Sequence, residues 1–501
     1  MSEALCREGA AWVSAVTGTR WVGVIGLEVH AQLATNSKLF CSCEVRFGAP
    51  PNSLTCPVCT GQPGSLPVLN AAALGLAVRT ALAVGADVAA ESKFDRKHYF
   101  YCDIPKNYQI SQYDRPFCTG GGIRLASGRF VRLTRIHLEE DAGKAIHDRG
   151  EHTLVDLNRA GVALIESVSE ADLETPEEAV EYLEALKEII RYAGAGEADM
   201  EKGQLRCDVN VSVRPEGEAW RTKVEIKNLN SFRHVREALE YEIPRQIEAY
   251  ESGESARLPR QETRLFDASA GVTRTMRTKE EARDYRYFTE PDLPPITLTE
   301  AFVERQRGLL CELPQARRRR YREELGLSEY DARVLTGTRE VADYFEAVAR
   351  LCGRPKEAAN WVANDLSRAL ADPEVAAGSI DELPVKPFDL AELIELVAAG
   401  TINTTGAREV LGLMVAGSGS PREIVAERGL EQVDDEASLE AWCREALEGR
   451  EQVAADVRAG RTKAIGAVVG PVMKASGGKA NPQRVREILL RLIAEDDQPR
   501  P

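Results

Sequence analysis

The stretch Arg135–Lys144, RIHLEEDAGK, places His137, Glu139, Glu140 and Asp141 almost side by side. It reads as a strand running into a turn. Alternation puts Ile136 and Leu138 on one face, and Arg135, His137 and Glu139 on the other. Three adjacent acids at a strand end repel one another, so a cation or water must lie against them. Magnesium takes hard oxygen ligands, often one or two carboxylates together with substrate phosphates. A solvated acidic strand end is the alternative. Three further strands carry charge on a single face. In GLEVHAQL, Glu28, His30 and Gln32 oppose Leu27, Val29 and Leu33. In LRCDVNVSVR, Arg206, Asp208, Asn210 and Ser212 oppose Leu205, Cys207, Val209 and Val211. In TKVEIKN, Lys223, Glu225 and Lys227 oppose Val224 and Ile226. Antiparallel sheets with one wet face give this pattern without any ligand. The same faces could instead line one acidic cradle, and the pattern leaves both open.

A second constellation is FCSCEVRFGAPPNSLTCPVCTG, with Cys41, Cys43, Cys56 and Cys59 spaced as C-x-C and C-x-x-C. Four thiolates suit tetrahedral zinc, and the glycine-proline loop between the pairs can bring them together. A reduced thiol cluster without metal is the alternative. A closed four-thiolate site leaves no open position, so its role would be structural. The eleven cysteines are an odd, uneven set that points to a reducing compartment rather than a disulfide framework. Cys6, Cys102, Cys118, Cys207, Cys311, Cys352 and Cys443 read as buried or incidental thiols.

The chain that must position these groups has 501 residues, 43% hydrophobic and 29% charged, an ordinary soluble globular composition. It has no apolar run long enough to predict a membrane span, and a cytoplasmic location is expected. Residues 1–20 read as a frayed N-terminal extension without a secretory pattern. From 21 to 295 strands alternate with a few helices and no regular βαβ rhythm, which predicts an α+β fold with a mixed-sheet domain. Within it, Thr175 is an N-cap candidate, with Pro176 at the first helical position and Glu178 completing a capping box. Val180, Leu183, Leu186 and Ile190 form that helix's apolar stripe, and Gly194 can end it. A second helix should begin after Asn230–Ser231, with Pro244 kinking it. Residues 296–387 predict a helical domain, and 388–501 a small helical tail domain.

The net charge is −15, so nucleic acid could bind only through local basic patches. One patch stands out. In Arg458–Leu492, Arg458, Arg461, Lys463, Lys474, Lys479, Arg484, Arg486 and Arg491 face only Glu487. Phosphate-backbone contact is the functional expectation, with Arg461, Lys463, Lys474, Lys479 and Arg484 as candidates. A basic helical bundle without ligand is the alternative. Arg317–Arg320 reads first as a solvated helix face, with tRNA contact as the alternative.

Taken with VIGLEVHAQL, SKFDRKHYFYCDIPKNYQISQYDRP, LVDLNRAGVALIESVSE, LRCDVNVSVR, KVEIKNLNSF and DYRYFTEPDLPP, the acidic window resembles the B subunit of the aspartyl/glutamyl-tRNA amidotransferases. The resemblance runs from about Trp21 over nearly the whole chain. One departure is Ala163, where the family usually has proline, which should alter a local turn. The resemblance implies a reaction in two steps. ATP phosphorylates the side-chain carboxylate of Glu-tRNA(Gln) or Asp-tRNA(Asn), and ammonia then displaces phosphate to give the amide. It implies that Glu28, His30, Glu139, Glu140, Asp208 and Glu225 form the catalytic cradle. Glu28, His30, Glu140, Asp208 and Glu225 would hold magnesium. Lys93, Lys97, Lys144, Arg159 and Arg206 would meet the phosphates of ATP, with Lys93, Lys97 and Arg159 foremost. It implies a structural zinc insertion within the cradle domain and a tRNA-gripping tail. The chain shows no P-loop, nucleophile elbow, H-E-x-x-H or amidase signature. Ammonia is therefore expected from the family's amidase, its A subunit, in a complex that also holds the small C subunit. The other expected partners are tRNA(Gln) or tRNA(Asn) and the cognate aminoacyl-tRNA synthetase. A non-catalytic tRNA-binding scaffold and a free-standing carboxylate–amine ligase are the rival expectations.

Overall fold

The computed structural model describes residues 5–147, 150–253, 258–278, 285–375, 377–432 and 435–495. Residues 1–4 of the expected extension, Asp284 of DYRYFTEPDLPP and 496–501 of the tail lie outside the described residues. The chain forms two compact units, Met1–Pro314 and Gln315–Pro501.

The first unit is organised by the strand Arg20–Gln32. Its odd-numbered side chains Trp21, Ile25, Leu27, Val29 and Ala31 are buried in the main hydrophobic core. The strand pairs antiparallel with Leu205–Pro215 on one side and Ala163–Ser169 on the other. Outward from Leu205–Pro215 come Val224–Leu229, Glu262–Asp267 and Val272–Thr278; outward from Ala163–Ser169 come Phe130–Glu140, Cys118–Thr119 and Asp87–Val88. All these neighbours are antiparallel except Val224–Leu229 and Glu262–Asp267, so the sheet is mixed. The α+β expectation therefore holds for this unit.

The helices Pro176–Tyr192 and Phe232–Ser252 cover the apolar face. The first has the N-cap its sequence predicts, but Glu178 bonds the residue before that cap, so the reciprocal capping box is not closed. Thr175 Oγ1 accepts the Glu178 N–H at 3.1 Å, and Glu178 reaches back to the Glu174 N–H at 2.9 Å. It buries Val180, Leu183, Leu186 and Ile190 and is followed by Gly194 at φ 64°. The second runs unbroken through Pro244. Gly23 marks a close approach: a Cβ there would lie 2.6 Å from the Glu174 carbonyl.

Two local expectations change. Residues 5–20 are paired rather than frayed: Leu5–Glu8 and Ala11–Ser14 form a hairpin, with Gly9 in its turn at φ 65°, and Ala11–Val13 pairs onto Arg20–Val22. Ala163 lies in no turn. It is the first residue of its strand, opposite Glu140, a place where proline is also tolerated.

The second unit is helical and holds two separate apolar cores. One runs from Tyr321 to Val425, through Phe345, Trp361, Leu390 and Leu411, and is continuous across the Pro384–Pro387 segment. The other joins Leu439, Cys443, Val468, Val485 and Leu489. Among the described residues no helix is long and apolar enough to cross a membrane.

Thr175→Ala removes one helix-terminal hydrogen bond and should cost about 1 kcal/mol of stability, read as a lower denaturant midpoint with an unchanged slope.

Candidate active site

Strand register converts the four polar faces into one surface. Arg206 pairs with His30, His30 with Glu166, and Glu166 with His137. One step along, Asp208 pairs with Glu28 and Glu28 with Val168. Asn210 then pairs with both Gly26 and Glu225. Directly opposed residues share a face, so Glu28, His30, Glu139, Asp208 and Glu225 all stand on the side away from the covering helices.

At its centre the His30 imidazole lies between carboxylates. Nε2 is 3.2 Å from Glu166, 3.3 Å from Glu139 and 3.8 Å from Glu28. His137 Nε2 is 3.5 Å from Glu166 and 3.8 Å from Glu139. Two groups spaced so that they could hold a metal ion share Glu166: Glu28, His30 and Glu166, and His137, Glu139 and Glu166. Burial works against charge on His30, but the hydrogen bonds it donates to Glu139 and Glu166 outweigh it and raise its pKa to about 10. Burial likewise opposes ionisation of Glu139, yet His137 and His30 hold it well below the usual carboxylate range. Glu166 is lowered against its burial, chiefly by His137. Glu28 is pushed up by burial and by Glu166. A further cation faces this cluster: Lys97 has its charge strengthened, against burial, by Glu139. Its ammonium sits 5.1 Å from the Tyr285 ring centre.

The three consecutive acids do not share one partner. Glu139 points into the cradle. Glu140 pairs with Ala163 on the opposite face, accepts the Ile110 N–H at 2.9 Å and is bonded by Lys106. Asp141 takes Arg206 at 2.6 Å and Gln32 at 2.8 Å. Alternation separates Glu140 from Glu139, which removes it from the central carboxylate group. Asp208 and Glu225 flank that group and share Lys227, which bonds Asp208 and lies 3.1 Å from Glu225. Of the expected phosphate-binding groups, Lys97 faces the cluster and Arg206 borders it. Lys93 is taken up by Asp95 at 2.8 Å and Asp114 at 2.9 Å. Arg159 donates to the carbonyls of Ala142 and Gly143 at 2.9 and 2.7 Å. Lys144 is exposed.

Sequence reasoning misses Glu166 as a member of the cluster. Its signal is a single acid between Leu164 and Val168 on an otherwise apolar face of its strand. Further along the polar face, a cavity of about 600 Å³ is lined by Gly26, Val168, Asn210, Ser212, Trp220 and Lys223 among others.

The four predicted cysteines also converge. Their sulfurs all lie within 4.8 Å of one another. Tetrahedral zinc at about 2.3 Å from each sulfur needs sulfurs about 3.8 Å apart; Cys56 and Cys59 stand at 3.9 Å, and the set is compatible with such a site. A thiol hydrogen bond from Cys41 lowers Cys59 to about 4, helped by the nearby Lys38, while Cys41 is raised in turn. In the second unit Arg461, Lys463, Lys474, Lys479 and Arg484 are all exposed. Arg461 pairs with Asp456 and Arg484 with Glu487.

Residues 23–304 match the family described as GatB/GatE catalytic domain, and 343–493 match a GatB domain. The chain is similar to proteins named as the B subunit of aspartyl/glutamyl-tRNA(Asn/Gln) amidotransferase. That of Carboxydothermus hydrogenoformans is 49% identical, over 94% of this chain and 98% of its own. That of Geotalea uraniireducens is 50% identical over the same shares, and that of Moorella thermoacetica 49% over 93% and 98%.

In metal-free protein His30→Gln should lower stability at neutral pH. A pKa raised above its ordinary value gives its full stabilisation below that ordinary value and loses it as the pH rises through the raised one. The penalty should therefore fade through about pH 10, and melting curves in chelator across that range check it.

Proposed function

The chain belongs to the GatB/GatE family, and on that premise we propose that it is the carboxylate-activating subunit of a tRNA-dependent amidotransferase. Its substrates are Glu-tRNA(Gln), Asp-tRNA(Asn) or both, and ATP. The observation that carries this is the grouping of Glu28, Glu139 and Glu166 around His30 within the matched catalytic domain.

A carboxylate is a poor electrophile. In the first step its oxygen attacks the γ-phosphorus of ATP and ADP leaves. In the second, ammonia attacks the acyl carbon, phosphate leaves and the nitrogen loses a proton. Phosphoryl transfer asks for positioning and charge stabilisation more than for covalent help. Three carboxylates on one face are the donor chemistry for a hard cation, and Glu28, Glu139 and Glu166 would hold magnesium. Bound magnesium supplies charge neutralisation at the phosphate oxygens. His30 and His137 orient these carboxylates. Lys97 offers a cation toward the transferring phosphoryl group, and Arg206 and Lys227 balance Asp141, Asp208 and Glu225. The cavity beside Gly26 has the size and polar lining for the nucleoside, with Asn210 and Ser212 to hydrogen-bond it and Trp220 to cover it.

The Cys41, Cys43, Cys56 and Cys59 cluster holds structural zinc. Exposed Lys463, Lys474 and Lys479, with Arg461 and Arg484, meet the tRNA backbone. Ammonia comes from an amidase partner, and a small third protein completes the cytoplasmic complex.

Glu166→Gln, assembled with its amidase partner, should lower mischarged-tRNA-dependent ADP release about 100-fold or more at unchanged tRNA affinity. Retained ADP release would remove Glu166 from the chemistry. Lys474→Ala combined with Lys479→Ala should weaken tRNA binding and reduce its salt slope by about two. An unchanged slope would take the tail out of the tRNA contact.

A further inference from the structure

Lys38 is a lysine with 0% exposure. Lysines are almost never fully buried unless paired, because removing an ammonium from water is costly. Among the described residues no carboxylate lies within ion-pair reach of it. Its Nζ instead donates to Cys59 Sγ at 3.4 Å and to the Leu157 carbonyl at 3.3 Å. Its backbone N–H donates to the Cys43 carbonyl at 3.0 Å. One residue thus ties the C-x-C pair through its backbone and the C-x-x-C pair through its side chain. Gly161, at φ 85°, adjoins both groups: a Cβ there would lie 3.3 Å from Cys59 Cβ and 3.5 Å from Lys38 Cδ.

A divalent zinc with four thiolates carries a formal charge of about −2. Such a centre needs a compensating cation and hydrogen-bond donors that keep its sulfurs in place. Among the described residues, Lys38 is the cation bonded to it. We propose that Lys38 is the counter-ion and N–H···S donor of the four-cysteine zinc centre, fixing Cys59 and setting how tightly the metal is held. This rests on the zinc assignment above. It adds that metal affinity depends on a residue that never touches the metal. Partners of this kind orient ligands, and their loss typically lowers metal affinity about 10- to 100-fold.

The test uses the full chain and two variants, Lys38→Met, which keeps the length and removes both charge and donor, and Lys38→Gln, which keeps an N–H and removes the charge. Zinc affinity is read by competition with a chromogenic chelator. Cobalt(II) substitution reads the sulfur-to-metal charge-transfer band. Lys38→Met should lose about 10- to 100-fold in zinc affinity, and its cobalt band should move to lower energy, since an unbonded sulfur lone pair is easier to ionise. Lys38→Gln should fall between it and wild type. Wild-type affinity and an unshifted band in Lys38→Met would overturn the assignment of Lys38 while leaving zinc in place. If Lys38→Met does not fold, Lys38→Gln decides alone: reduced affinity supports the proposal and wild-type affinity overturns it. A wild-type chain that takes up neither zinc nor cobalt would overturn the zinc assignment and this proposal together, and Cys56→Ser is the control that separates specific from incidental uptake.

Discussion

Like charges crowded out of water are the constraint on which the first unit turns. Glu28, Glu139 and Glu166 occupy one face of one sheet, and the last two are nearly inaccessible to solvent. Each buried carboxylate carries a desolvation penalty that only a nearby cation or a full set of donors can offset. His30, His137 and Lys97 meet that need from within the chain, and a divalent cation would meet it more strongly. The side chains can be held so close only because the strands beneath them are locked by backbone hydrogen bonds and by helices on the far side. The repulsion is therefore resisted by the sheet, and the charge is ready before any substrate arrives.

The polar faces were legible because alternation is local: every other residue from Glu28 to Gln32 and from Arg206 to Ser212 announces its side. The same rule separates Glu139 from Glu140, although proximity in sequence suggested a shared role for both. What could not be read was which faces meet. That depends on register between strands far apart in the chain, and a single acid such as Glu166 leaves only a faint mark in an apolar run. Lys106, the partner of Glu140, is set by a loop whose path has no periodicity. Local chemistry was more transparent. The Thr175 cap follows from neighbours in sequence, and so does the pairing of each cysteine couple. The N-terminal hairpin leaves little trace in the sequence because its strands are short and its turn is marked by Gly9 alone.

The cysteine loop and the acidic strand end are not independent pieces. Cys59, Lys38 and Glu140 all approach Gly161, whose left-handed backbone conformation favours glycine there. Asp141 binds to the same turn through backbone bonds, with its N–H on the Val162 carbonyl and its carbonyl on the Gly161 N–H. A loop that contributes no side chain to the cradle thus supports the backbone that carries Glu139 into it.

The pairing of Arg20–Gln32 with both Ala163–Ser169 and Leu205–Pro215 has a consequence for how the molecule comes into being. During synthesis Glu28 and His30 emerge long before the strands that complete their surroundings. Until Leu205–Pro215 arrives, the central strand keeps an open edge. Contacts of such long sequence separation close slowly. The site is therefore completed late, and a nascent chain cut short of Leu205–Pro215 would carry Glu28, His30, Glu139 and Glu166 without the strand that closes the sheet beside them.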